Sequence, residues 1–369
     1  MPARRHSRFP ARRTAGSVVL LVLVTVLLAA FMITKFVQRA GTELLADARA
    51  GDQERLRREA YSALETTLAV LADVRAVDQG LFNPAQGWSD PLGYAGHVPG
   101  PGTSVEVAFE DESGRISLPK ADAATLEALL ELTGVDRNQA ERASDALLVW
   151  MHADYVPPTL EADPGSYERE AIPHKAAGRP LRSLDELASI AIVRDLFFDE
   201  QGRPYPRLRE FAAAVSLQAF DRVNLNAGTP LALTAAGATV DQVEALRTYL
   251  RTPSRGRPYF KNAQEAAAVM GSAAPTDRFG VEIQVLRINV TARAGALAYR
   301  ISAVVSLSGA TTAPVRGARA GAANPTGPAG DAEKAPLTLK KLDYPFKVLD
   351  LLEDVESGPA SSDRPAGND

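Results

Sequence analysis

No charged residue occurs between Arg13 and Lys35, and Val18 to Ile33 is apolar apart from Thr25. A helix rises about 1.5 Å per residue, so some 20 such residues match the roughly 30 Å hydrocarbon core of a bilayer. Arg4, Arg5, Arg8, Arg12 and Arg13 precede the run with no acid among them. Flanking cations stay on the cytoplasmic side. The pattern predicts one membrane-spanning helix, with its start in the cytoplasm and everything after Lys35 outside.

Three kinds of segment share this hydropathy. A secretory signal peptide has a shorter apolar region followed by a small-x-small cleavage site. Ala29-Ala30 is a weak match, and the apolar run continues past it. A plain anchor fits the hydropathy well. The third kind rests on Gly16, which stands between a basic leader and an uninterrupted apolar helix. That is the arrangement cut by prepilin peptidases, and it makes Gly16 and Ser17 the processing residues. Downstream, Leu44, Leu45, Leu56, Ala60, Leu64, Leu68, Leu71 and Val74 recur mostly at spacings of three or four. Glu54, Arg55, Arg57, Arg58 and Glu59 fill the other face, as in an amphipathic helix. A rod from Ser17 to Val74 would be about 85 Å long. In a filament bundle, Leu56, Leu64, Leu68 and Leu71 are expected to face partner helices. In a plain anchor they line an amphipathic stalk.

The 369 residues carry 46% apolar and 23% charged side chains, enough for a sizeable core. Having no cysteine excludes disulfide and thiolate chemistry, and a net charge of −4 gives no bulk attraction to nucleic acid. Leu81 to Thr103 is rich in Gly, Pro and Asn and reads as a loop. In Ser104–Leu118, Val105, Val107 and Phe109 alternate with Glu106 and Ala108, and Glu112-Ser113-Gly114 turns the chain towards Ile116, which predicts a β-hairpin.

A mostly helical region follows, from Pro119 to about Gly271, and it contains an imperfect duplication. "RISLP" at Arg115 matches "RVNLN" at Arg222, "GVDRNQAER" at Gly134 matches "GATVDQVEA" at Gly237, and "GRPLRSLDEL" at Gly178 matches "GRPYFKNAQEA" at Gly256. The first two offsets are 107 and 103. The difference is about one helical turn, so the first helix of copy one is predicted to be one turn longer. Gly134 and Gly237 suit left-handed helix ends, and Asp136/Gln139 and Thr239/Gln242 suit capping boxes or close variants of them. Ser183/Glu186 and Asn262/Glu265 are expected to cap a further helix in each copy. After Thr276, alternation predicts two long antiparallel strands, Gly280–Arg293 and Leu297–Leu307. Residues 309–336 read as a disordered linker. Leu337–Val355 is expected to give a last strand and an acidic helix within an acidic tail, 337–369.

The chain resembles the K-type minor pseudopilins of the type II secretion system. The resemblance rests on the Gly16 leader and helix, "EDESGRISLP" at Glu110, "VWMHAD" at Val149, "RPLRSLDEL" at Arg179, "RVNLNAGTP" at Arg222 and "RPYFKNAQEA" at Arg257. It covers nearly the whole chain up to Leu307. It implies an α+β, pilin-like fold, in which a long N-terminal helix packs on a small antiparallel sheet and a large helical domain with two helix-hairpin, SAM-like repeats is inserted. The implied segments are a leader (1–16), membrane and stalk helix (17–78), loop and first hairpin (79–118), inserted domain (119–275, repeats about 115–190 and 222–270) and second hairpin (276–308).

The resemblance also implies a non-enzymatic subunit of the bacterial inner membrane with a periplasmic head. Its implied place is the tip of a pseudopilus that supports protein export. The implied partners are other minor pseudopilins and the prepilin peptidase, with secretin and secreted cargo beyond them. Most pilins carry a Glu five residues into the mature helix; here that position is Leu21, as in K-type members. An unpaired carboxylate in lipid is costly, which suits a subunit with no neighbour ahead of it. Ser17, rather than Phe or Met, follows the cut. The family's tip domain can bind calcium through loop carboxylates. Here that loop would follow Trp150 and offer Asp154, Glu161 and Asp163, while His152 is a poor ligand for a hard cation.

His6, His97, His152 and His174 are isolated, and no HExxH, Walker A, GxGxxG or GxSxG sequence occurs. Asp111-Glu112 reads as a turn. The competing reading is a membrane-anchored helix-hairpin-helix protein that binds DNA or acts as an envelope adaptor. Its turns, Gly134-Val135-Asp136 and Gly237-Ala238-Thr239, lack the second glycine, and Asp136 would repel phosphate. Nucleic acid is therefore not expected as a partner.

Overall fold

The computed structural model describes residues 15–158, 167, 174–252, 256–271, 277–307 and 346–357. The chain divides into two compact units, Met1–Arg58 and Glu59–Asp369. Helix α1, Ala15–Asp78, supplies all of the described part of the first unit and continues into the second. In the first unit the apolar side chains from Val19 to Val37 are exposed. In the second unit α1 presents Ala60, Ala63, Leu64, Leu68 and Leu71 at helical spacing, all of them buried. Thr67 sits in the same stripe and satisfies its hydroxyl by donating to the Ala63 carbonyl at 2.7 Å.

That stripe belongs to a four-stranded antiparallel sheet and its covering helix. The strands are β1 (Ser104–Asp111), β6 (Val285–Ala294), β7 (Leu297–Ser306) and β8 (Lys347–Ser357), in the order β1-β6-β7-β8. Phe109, Val107 and Val105 stand opposite Ile288, Val290 and Ala292. These in turn stand opposite Ala303, Ile301 and Tyr299 of β7. The alternation seen in the sequence thus becomes one apolar face of the sheet. Tyr61 of α1 donates to Glu353, which lies opposite Ile301, so this face is the one turned to the helix. Gly295, at φ 58°, makes the tight turn between β6 and β7.

Between β1 and β6 the chain leaves the sheet to build the inserted helical domain. Its first copy runs β2 (Ile116–Ser117), α3 (Ala123–Leu132) and α4 (Arg137–Met151). A six-residue 3₁₀ helix at Leu184–Ser189 and α5 (Ala191–Phe197) follow. After α6 (Pro206–Ala214) and β3 (Val215–Ser216), the second copy runs β4 (Val223–Asn224), α7 (Pro230–Ala235), α8 (Val240–Arg251) and α9 (Ala263–Met270). Helix α3 has ten residues and α7 six, so the first helix of copy one is longer by one turn. Helices α3 and α7 pack on each other, which joins the copies through their first helices. Gly134 and Gly237 take φ of 84° and 105°, values that cost a β-carbon dearly, and so end those helices. The Asp136 carboxylate accepts from the Asn138 N–H, and Thr239 with Gln242 forms a reciprocal capping box.

The duplication also extends to the loop clamps. Arg179 pairs with Glu186 at 3.2 Å, and Glu186 also accepts from the Arg182 N–H. Arg257 pairs with Glu265, which also accepts from the Lys261 N–H. Leu181 and Phe260 are buried at the matching places.

Three expectations are corrected. Ser104–Leu118 is not a hairpin: β1 pairs with β6, whereas β2 pairs in parallel with β3. Gly280 does not begin the long strand, because Phe279–Gly280 (β5) pairs in parallel with β4 and β6 starts at Val285. The acidic stretch from Lys347 is no helix but strand β8, which pairs with β7 from Lys347 to Ser357 with one irregularity at Leu349. Residues 309–336 lie outside the described residues.

Candidate functional site

The loop from β1 into the inserted domain reads "DESGR", Asp111–Arg115. Glu112, Ser113 and Gly114 form a buried 3₁₀ turn capped by Asp111, whose carboxylate accepts from the Ser113 N–H at 2.8 Å. The other Asp111 oxygen accepts from Asn224 Nδ2 at 2.6 Å, linking the sheet to the start of the second copy. Ser113 Oγ accepts from the Gln284 N–H at 2.8 Å and the Val285 N–H at 2.9 Å, where the chain re-enters the sheet. Glu112 is buried and pairs with Arg287 at 2.7 Å and Arg115 at 3.3 Å. Gly114 lies against the second copy, since a β-carbon there would stand 2.6 Å from the Ala227 carbonyl oxygen. These residues close both ends of the insertion into one polar root. Close by, Phe220 of the insertion clusters with Val285 and Val304.

Burial pushes the Asp111 carboxyl up to about 6, against its hydrogen bonds from Asn224 and Ser113. Asp111-Glu112 does open a turn, as the sequence implies. The partners that join this turn to the rest of the fold, Asn224 and Arg287, lie more than a hundred residues away, and no local pattern discloses them.

Of the residues singled out by sequence, Gly16 and Ser17 lie within the first turns of α1. Helix α1 is long and apolar enough to cross a membrane, with a mean hydropathy of 2.6 over its most apolar window. Leu64, Leu68 and Leu71 were expected to face partner helices. They are instead 6%, 6% and 0% exposed inside this chain, and Leu56 is buried as well. The reason is the sheet: its apolar face needs a cover, and the α1 stripe supplies it. The exposed side of the same helix carries Ser62, Glu65, Ala69, Asp73 and Ala76.

Asp154 is exposed just beyond α4, whereas Glu161 and Asp163 lie outside the described residues. Among the described residues no group of three or more metal-ligating side chains occurs. The ends of that loop meet in an aromatic cluster, with Trp150 and Tyr167 at 5.4 Å and Tyr167 and His174 at 5.3 Å between ring centroids. At the helix-hairpin turns, the N–H groups of Asn138 and Gln242 are already engaged by the Asp136 and Thr239 side chains.

Residues 109–200 match the family model described as type II secretion system (T2SS), protein K. This part of the chain resembles the first domain of type II secretion protein K. The match begins at Phe109 in β1, passes through the polar root and takes in the first copy of the helical repeat. The fold is similar to that of a chain in the crystal structure of the GspK-GspI-GspJ complex from the enterotoxigenic Escherichia coli type 2 secretion system. That likeness has a TM-score of 0.53 at 14% identity and covers 83% of this chain and 99% of that one. At that identity the likeness is one of fold: a long N-terminal helix, a small antiparallel sheet and an inserted helical domain. No curated protein matches the chain. The resemblance to K-type minor pseudopilins therefore stands on a family match and a fold match together.

Proposed function

We propose that this chain is the K-type minor pseudopilin at the tip of a type II secretion pseudopilus, where it supports pseudopilus assembly and protein export. The observation that carries the reading is the continuity of α1. One helix is apolar and uncovered from Val19 to Val37, and further along covers a pilin-like sheet interrupted by a protein K domain. The uncovered part suits a bilayer and then the packed helices of a filament. The role is structural, not enzymatic.

In this reading the leader stays in the cytoplasm, the helix crosses the inner membrane once, and the head lies in the periplasm. A prepilin peptidase cuts after Gly16, leaving Ser17 first. Other minor pseudopilins are the assembly partners, a proposal supported by the GspK-GspI-GspJ complex in which the similar fold was solved. The large inserted domain then faces secretin or secreted cargo, and nucleic acid has no part. Calcium at Asp154, Glu161 and Asp163 belongs to the same proposal, as a brace for the loop after Trp150.

The test is a strain whose only copy carries Gly16→Val. Client proteins should then accumulate in the periplasm and the pseudopilus should fail to assemble. Normal export with the uncut protein would overturn the reading.

A further inference from the structure

The sheet ends on β8, which among the described residues has no second strand beside it. Free edges invite pairing, and proteins commonly blunt them with Lys, Pro or a covering segment. Residues 347–357 hold no Pro, and the one Lys is the first residue. The opposite edge is treated differently: Phe109 of β1 meets the fully buried Trp88 edge-on at 4.9 Å. On β8, by contrast, Val348, Leu351 and Val355 are 47%, 40% and 40% exposed on the face turned to the helix, and Leu352 is 58% exposed on the other.

An uncovered helix-facing side alone would suit a helix. Apolar exposure on both faces of an edge strand suits a further strand, which extends both faces at once. The charge of the strand narrows the choice. Asp350 and Asp354 flank Leu352 on its face, Asp354 opposite Arg300 of β7, so a second copy of β8 laid alongside would set acid near acid. A strand carrying Lys or Arg between apolar residues would be complementary. The strand is also firmly held from behind. Tyr61 and Tyr299 both donate to Glu353, and Arg75 binds the Leu307 carbonyl at 2.8 Å while lying over the Phe346 ring.

Resting on the assembly reading above, we propose that the outer edge of β8 docks a basic edge strand of a neighbouring pilin-like subunit, which continues this sheet into that subunit. Backbone pairing supplies the attachment, and the acids of β8 select a cationic partner over a second copy of this chain.

The full-length chain, expressed in cells, tests this with a photoreactive benzoylphenylalanine in place of Leu352 and, separately, in place of Phe36 in the apolar helix. The expected product at Leu352 is a cross-link to a Lys- or Arg-bearing strand of a pilin-like subunit, mapped by peptide mass spectrometry. The yield should fall about fivefold or more when Asp350→Asn and Asp354→Asn are combined with the probe. Capture of pilin-like subunits at Phe36, with Leu352 cross-linked to a second copy, to residues 337–342 of its own chain or to nothing, overturns the docking edge and leaves the assembly reading standing. A Leu352 yield unchanged by the two Asn substitutions also overturns the proposal. No capture at either position sinks both readings.

Discussion

Asp111 is the residue on which the polar root can be probed by pH. Its ordinary carboxyl value of 3.8 is pushed up to about 6, chiefly by burial. Between about pH 4 and pH 6 the native state therefore holds a proton that the unfolded chain has released. Stability from this group is present below pH 4 and is lost as pH rises through 6, by about 3 kcal/mol in total. An Asp111→Asn chain has no such proton to bind. Relative to wild type, it should gain about 3 kcal/mol between pH 4 and pH 7 in urea unfolding, and a constant difference would refute the assignment. Ser113 acts through geometry instead. Ser113→Ala leaves the Gln284 and Val285 N–H groups without their acceptor. Unfolding should then cost about 3 kcal/mol less than for wild type.

At the level of elements, the repeat was legible because its punctuation is local. Gly134 and Gly237, the Asp136 and Thr239 caps and a four-residue difference in spacing all act within one or two turns of chain. They became α3 and α7 of ten and six residues. Three things were not legible. The parallel pairing of Ile116 with Val215 joins residues about a hundred positions apart, and a two-residue strand carries no period to read. "KVLDLLEDVES" spaces its leucines and acids in a way that suits a helix as well as a strand, and only the open edge of β7 decides between them. The apolar stripe of α1 announced a helix with a face to bury, but not whether a partner or the chain's own sheet would bury it. That last point has a direct consequence. Leu68→Ala should cost about 2–5 kcal/mol of head stability, read by thermal or urea unfolding, because it opens a cavity in the core. A fully stable Leu68→Ala head that merely loses partner affinity would restore the partner-facing assignment.

Over the whole molecule, two sequence-coded devices combine. One is a helix with apolar side chains all round at its start and on one stripe further along. The other is a β-sheet interrupted by a duplicated helical domain whose two ends are tied at Asp111–Arg115. Apolar area on the uncovered helix stabilises burial in lipid or against like helices by about 25 cal/mol per Å², offset by the entropy of association. The chain is read as a subunit that leaves the bilayer for a filament, and that passage requires the leader to be removed. The most direct measurement is the N-terminal sequence of the protein purified from its own envelope. It should begin Ser17-Val18-Val19; a chain still starting at Met1 in an export-competent cell would contradict the account.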